Sequence, residues 1–174
     1  IATICDIVDL VDENRIIAKN GLDFMANTPN KGLKKLIEKT GLIDKIINEY
    51  HVGFVIGPNI NATGRLENAK IAIELFTSED DAKIENLANQ LISLNESRKQ
   101  MTEDAAQDAI AQVENSSLKN QNVLVIYNEK IHESIAGIVA GRVKEKYYKP
   151  VIMLTKGDNA VKGSARSIEG YNIF

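Results

Sequence analysis

At 174 residues, 44% of them hydrophobic, the chain has enough material for one domain with a sizeable core or for two small ones. A net charge of −3 argues against indiscriminate nucleic-acid binding, and the absence of any run of 18 apolar residues excludes a membrane-spanning helix. The single Cys5 excludes an internal disulfide and, with no signal-peptide pattern visible, fits a cytoplasmic location.

The charge is unevenly placed. Residues 67–114 carry 4 Lys/Arg against 11 Asp/Glu, whereas residues 142–166 carry 7 against 2, so the basic residues gather late in the chain. The first residue is Ile1 and the last, Phe174, closes an apolar run, so the chain is expected to be a piece of something longer.

From the start, Ile1 to Leu10 is apolar apart from Thr3, Asp6 and Asp9. A carboxylate inside such a run is costly unless it caps a helix, lies in a loop, or meets a metal; a cap or loop role is the ordinary explanation for Asp6. Asp12 to Arg15 form the polar start of a helix that runs to about Met25. Two short helices follow, Lys31–Lys39 and Ile43–Tyr50, separated by the stop signal Thr40-Gly41. Lys31, Lys34, Lys35 and Lys39 read as a solvated face, and His51 as a lone histidine beside a turn.

Gly57-Pro58-Asn59-Ile60-Asn61-Ala62-Thr63-Gly64-Arg65-Leu66 combines two glycines, a proline and two asparagines, which predicts a tightly specified loop leading into a helix that ends near Phe76. Asn61 and Arg65 on such a loop are candidate phosphate or backbone contacts; a plain connection between helices is the alternative. Between Arg65 and Ala136 there is neither Gly nor Pro. Ser78 with Glu79, Asp80 and Asp81 behind it predicts an N-cap. The apolar stripe from Ile84 to Val113 then predicts one helix of about 35 residues, roughly 50 Å long at 1.5 Å per residue, which bridges two bodies unless it breaks into a hairpin near Asn95 to Arg98.

The most informative stretch is the last. Asn122–Tyr127 reads as a buried strand; Ile135, Ile138, Val139, Val143 and Tyr147 recur at helical spacing up to Pro150; Val151–Leu154 and Ala160–Ser167 read as two further strands. This is a βαβ unit, whose loops are where such sheets bind ligands. Gly137 and Gly141 each cost about 1 kcal/mol against Ala in a helix, so close approach to that face is expected, either from the sheet beneath or from a ligand. His132 and Ser134 stand at the helix start, where backbone N–H groups and the dipole favour an anion. Ser164 and Arg166, two apart on a strand, point to one side, and a hydroxyl beside a guanidinium suits a terminal phosphate; an exposed strand face with a surface Arg is the alternative.

Four motifs in order then carry a resemblance: Ala-Thr-Ile-Cys-Asp-Ile-Val with Asn14-Arg15; Gly-Pro-Asn-Ile-Asn-Ala-Thr-Gly-Arg-Leu; His132 to Arg142 with Tyr-Lys-Pro-Val-Ile; and Gly-Ser-Ala-Arg-Ser-Ile. Together they resemble the DHH phosphoesterase family, and within it the bacterial exonucleases specific for single-stranded DNA. The resemblance implies a 5′-to-3′ exonuclease that uses Mn²⁺ or Mg²⁺ in recombination and repair, with single-stranded DNA as partner, repair proteins such as single-strand-binding protein or a helicase as further candidates, and no membrane. It implies an α/β chain in three parts: residues 1–77 as the C-terminal, helical remnant of a DHH domain, 78–115 as a long connecting helix, and 116–174 as a small DHH-associated domain with a βαβ core and mixed sheet. It makes Asp6 a catalytic carboxylate and metal ligand, His132 a substrate-facing catalytic histidine, Arg65 a DNA-backbone contact, and Ser164 with Arg166 the holders of the 5′-phosphate.

Departures from the family pattern limit this. The Asp-rich strands and the Asp-His-His triplet that precede these motifs, and the nucleic-acid-binding barrel that follows them, are not in the sequence. Asp6 alone cannot hold two metal ions, so the chain by itself is expected not to hydrolyse DNA. Glu133-Ser134 stands where the family has a small residue and Gly. A phosphodiesterase of short oligonucleotides or cyclic dinucleotides, and a non-catalytic nucleic-acid-binding module, are the alternatives.

Overall fold

The computed structural model describes residues 1–173, which divide into two units, 1–96 and 97–173. The boundary falls inside one uninterrupted helix, so each unit is built on its own half of that helix. The architecture is mixed helix and sheet, with seven α-helices and a three-stranded sheet among the described residues.

The first unit is helical: α1 (Ala2–Cys5), α2 (Asp12–Met25), α3 (Lys31–Lys39), α4 (Gly57–Leu66), α5 (Lys70–Thr77) and the start of α6 (Asp81–Glu114). Leu36, Ile37, Val52, Ile56, Leu75, Ile84 and Leu91 form its core. α3 starts under an Asn30 cap, whose Oδ1 accepts the Leu33 N–H at 2.8 Å. It ends as expected at Gly41, φ +71°, where the Leu42 N–H reaches back to the Ile37 carbonyl at 3.0 Å. Gly32 is required for packing: a Cβ there would land on the Leu75 carbonyl oxygen of α5. Lys34 is exposed as expected of a solvated face, but the other three lysines of α3 also form ion pairs. Lys31 bridges to Glu79 and Asp81, and Lys35 and Lys39 both pair with Glu85, tying α3 to the start of α6.

Three local expectations are corrected here. No helix spans Ile43–Tyr50; turns occupy it, and the helical backbone resumes at Glu49 because Asn48 and His51 cap each other, the Asn48 N–H donating to His51 Nδ1 at 3.2 Å and the His51 N–H to Asn48 Oδ1 at 3.1 Å. The stretch Gly57–Leu66 is no loop. A π-helical turn, His51–Ile56, runs directly into α4, with Pro58, which has no N–H to donate, as the second residue after the join. Gly57 closes the π turn by donating to Val52 O and lets Cys5 Sγ pack where its own Cβ would stand. Burial of Asn59, Ala62 and Thr63, with Asn59 Nδ2 donating to Val55 O at 2.8 Å, overrides the weak helix propensity of the segment. Lastly, the cap of α6 is Asp80, not Ser78: Asp80 Oδ1 accepts from the Ala82 and Lys83 N–H groups, while Ser78 Oγ only supports the Asp80 N–H.

Much apolar surface of this unit is exposed: Ile7, Ile46, Tyr50 and Phe54 are 88%, 91%, 61% and 70% accessible, and Tyr50 and Phe54 stack at 5.1 Å beside a groove of about 640 Å³ that Ile7, Val8 and Leu10 also line. Such a patch favours association. The chain is expected to self-associate as its concentration rises; a sedimentation mass that stays monomeric across the range would contradict this.

The second unit takes the remainder of α6, then a 3-10 turn (Ser117–Asn120), β1 (Leu124–Tyr127), α7 (Glu133–Tyr147), β2 (Val151–Lys156) and β3 (Val161–Arg166). The sheet order is β1-β2-β3, with β1 parallel and β3 antiparallel to β2, so β1-α7-β2 is the expected βαβ unit and β3 returns by a hairpin. Leu124, Ile126, Val151 and Met153 alternate inward and pack with Ile135, Val139 and Val143 of α7 and Ala105, Ala109 and Val113 of α6. α7 stops at Tyr148, φ 48°, just ahead of Pro150. Among the described residues three polar side-chain contacts tie α7 to α6: Arg142 to Glu103 at 2.5 Å, Lys146 to Glu114 at 4.0 Å, and the Tyr147 hydroxyl donating to Glu114 at 2.7 Å. Burial, reinforced by Glu114, pushes the Tyr147 phenol up to about 12.

Candidate nucleic-acid interface

In the second unit the register decides where the candidate side chains point. Ser164 pairs with Met153 and Arg166 with Val151 across the antiparallel ladder, and both partners are fully buried beneath α7. Directly paired residues share a face, so Ser164 and Arg166 rise on the α7 side of the sheet. There they meet Gly137: a Cβ at that position would stand 2.8 Å from Arg166 Nη2 and 2.9 Å from Ser164 Oγ. Of the expected sources of close approach to the glycines, the sheet accounts for Gly137, and through these two polar side chains. Gly141 has nothing within 4 Å of its missing Cβ.

The guanidinium is poised. Arg166 Nη1 donates to Ser164 Oγ at 3.3 Å and to the Ala165 carbonyl at 2.9 Å, and among the described residues no carboxylate pairs with it. Arg166 is exposed and Ser164 half-buried, so the two donors are fixed by the strand and by each other while staying open to solvent.

The start of α7 is organised differently from the open anion site that its position suggests. His132 is the N-cap: its Nδ1 accepts the Ser134 N–H at 3.3 Å and faces the Ser134 hydroxyl at 2.7 Å. With Nδ1 accepting both, the ring proton belongs on Nε2, which leaves one N–H donor on an exposed imidazole. Glu133 fills the first turn with a carboxylate and pairs with Lys162 at 2.5 Å, an arrangement that holds Lys162 above the ordinary lysine range. His132, Glu133, Lys130 and Lys156 line a cleft of about 540 Å³ at the C-terminal ends of β1 and β2, the usual ligand side of such a sheet.

In the first unit, α4 carries Asn61 and Arg65 four residues apart, so both exposed side chains lie on one helix face, with Gly64 exposed beside them. The helix thus brings together two residues that a loop would have left free to diverge. Asp6 follows α1 as an exposed C-cap residue, where Ile7 turns through φ 51°. It is a loop carboxylate rather than an N-cap. Among the described residues no three His, Cys, Asp or Glu side chains converge as a metal site. Mn²⁺ or Mg²⁺ takes about six ligands and needs more than one protein group to hold it, so the residues gathered around Asp6 do not by themselves fit one.

Sequence reasoning anticipated the Ser164–Arg166 pair because i, i+2 geometry is local. It missed Lys162, which continues the same alternation, and its partner Glu133; the Lys-x-Ser-x-Arg spacing was the available signal.

Residues 120–174 match the DHHA1 domain model. The whole chain aligns with the single-stranded-DNA-specific exonuclease RecJ of Bacillus subtilis at 40% identity, and 99% of it with that of Haemophilus influenzae at 34%; it spans 22% and 31% of those proteins' lengths. The crystal structure of RecJ from Thermus thermophilus in complex with Mn²⁺ superposes with a TM-score of 0.84 at 30% identity, covering 97% of this chain and 24% of that one. The chain belongs to the RecJ family, and its residues 120–174 form a DHHA1 domain.

Proposed function

We propose that this chain is the strand-gripping part of a 5′-to-3′ exonuclease specific for single-stranded DNA, acting in recombination and repair in the cytoplasm. The observation that carries the proposal is the Ser164–Arg166 pair seated over Gly137, a hydroxyl and a guanidinium aimed at one place with no carboxylate paired to either among the described residues. A terminal phosphate offers several acceptor oxygens to such a fork. His132 faces the substrate with its remaining N–H, and Asn61 and Arg65 grip the backbone from one face of α4.

Asp6 is on this reading one carboxylate of a Mn²⁺ or Mg²⁺ site that needs further ligands, and the solved relatives hold these ions. Since that ligand set is not gathered here, the chain alone is expected to bind DNA without cutting it. The division into DHH remnant (1–77), linking helix (78–115) and DHH-associated domain (116–174) belongs to the same proposal, as does contact with a single-strand-binding protein or helicase.

The test is binding, at fixed low salt, to one short single strand ending in either a 5′-phosphate or a 5′-hydroxyl. Hydrogen bonds to charged groups contribute about 1.5–3 kcal/mol, so the phosphorylated strand should bind about tenfold or more tightly. Arg166→Ala should bring the two strands level. Equal binding of both strands by the unsubstituted chain would overturn the assignment.

A further inference from the structure

The row of donors on β3 is longer than the phosphate pair. Lys162, Ser164 and Arg166 alternate along the strand and rise on its α7 side. Ser164 and Arg166 meet α7 at Gly137; Lys162 meets it about one turn earlier, at Glu133. The lysine is held in a track: its stem crosses Gly157, where a Cβ would stand 2.8 Å from Lys162 Cγ. Both members of the ion pair remain about half exposed, at 50% and 45%, so another anion can compete for the ammonium. Same-side neighbours on a strand are roughly 6.6 Å apart, about one nucleotide's reach along an extended strand.

Glu133 is also the first residue of α7, where the dipole favours negative charge. A carboxylate therefore occupies an anion position, on a cation in line with the pair that holds the strand end. We infer that Glu133 is an internal stand-in for an interior DNA phosphate: it keeps Lys162 aligned with Ser164 and Arg166 and withholds its charge from the strand. This rests on the assignment of Ser164 and Arg166 to the 5′-phosphate and adds a specificity device to it. The terminal phosphate meets open donors, while the next phosphate must displace Glu133, so recognition of the end outweighs grip on the interior.

The experiment measures binding of the full chain to the 5′-phosphate and 5′-hydroxyl single strands over a range of salt. Freeing one cation should make the slope of log affinity against log salt more negative by about 0.7. Glu133→Gln is expected to show that change for both strands alike, leaving the preference for 5′-phosphate as it was. Lys162→Ala should do little by itself and should cancel the gain when combined with Glu133→Gln. An unchanged slope in Glu133→Gln, with melting behaviour like the parent's, would overturn the inference and leave the pair as a plain tie between α7 and β3. A gain that survives Lys162→Ala would overturn it too. Arg166→Ala, run alongside, reports separately on the end-recognition assignment.

Discussion

Gly137→Ala is expected to abolish the preference for a 5′-phosphate while leaving the fold intact. The new methyl group would stand 2.8 Å from Arg166 Nη2 and 2.9 Å from Ser164 Oγ, closer than real side chains tolerate. What yields is the far end of Arg166, which is flexible and exposed, and the Ser164 hydroxyl, which can turn about its Cα–Cβ bond, so the cost falls on the geometry of the donor pair and not on the core. The helix meanwhile gains up to about 1 kcal/mol from replacing Gly by Ala. Urea denaturation followed by circular dichroism should therefore show equal or slightly higher stability, and the affinity ratio between the two strands should fall from about tenfold to near unity. Gly141→Ala is the control, since nothing lies within 4 Å of its Cβ position: it should gain the same stability and keep the ratio. A Gly137→Ala protein that still prefers the phosphate would mean that Arg166 does not act from this position.

The second large effect is on stability. Gly32→Ala places a methyl group on the backbone carbonyl of Leu75, and a backbone oxygen in the last turn of α5 cannot swing aside as a side-chain atom can. α3 must move off α5, which disturbs Leu36 and Ile37, both in the core of the first unit. Overpacking of this kind typically costs 1–3 kcal/mol, and the upper end, roughly 3 kcal/mol, is expected because the obstacle is backbone. Gly21→Ala, in α2 with nothing within 4 Å, should instead stabilise by about 1 kcal/mol. A Gly32→Ala chain as stable as Gly21→Ala would show that α3 and α5 are not packed as described.

These cases show which parts of the molecule local sequence could reveal. The strands, α7 and the 34-residue α6 were legible because their apolar residues recur with the period of the element they form, and no Gly or Pro interrupts α6. α4 was not, because Gly57, Pro58, Asn61 and Gly64 are turn residues by local preference and become helical through burial of Asn59, Ala62 and Thr63, a tertiary effect. The reciprocal cap between Asn48 and His51 was hidden for a related reason: either residue alone signals only a turn.

At the candidate site the same division holds. Ser164 and Arg166 could be placed side by side from strand periodicity. That they require a glycine at 137, 27 residues earlier, follows only from how α7 lies across β3. The Glu133–Lys162 pair is likewise non-local, and by itself each residue looks like an ordinary surface charge.

The most direct measurement of the central claim is the phosphorus NMR spectrum of a short 5′-phosphorylated single strand titrated with the chain and with Arg166→Ala. If Ser164 and Arg166 hold the strand end, the terminal phosphorus resonance moves on addition of the chain and stays in place on addition of Arg166→Ala. A terminal resonance that the unsubstituted chain leaves unmoved, while interior resonances shift, would contradict the account and make this surface a grip on the backbone alone.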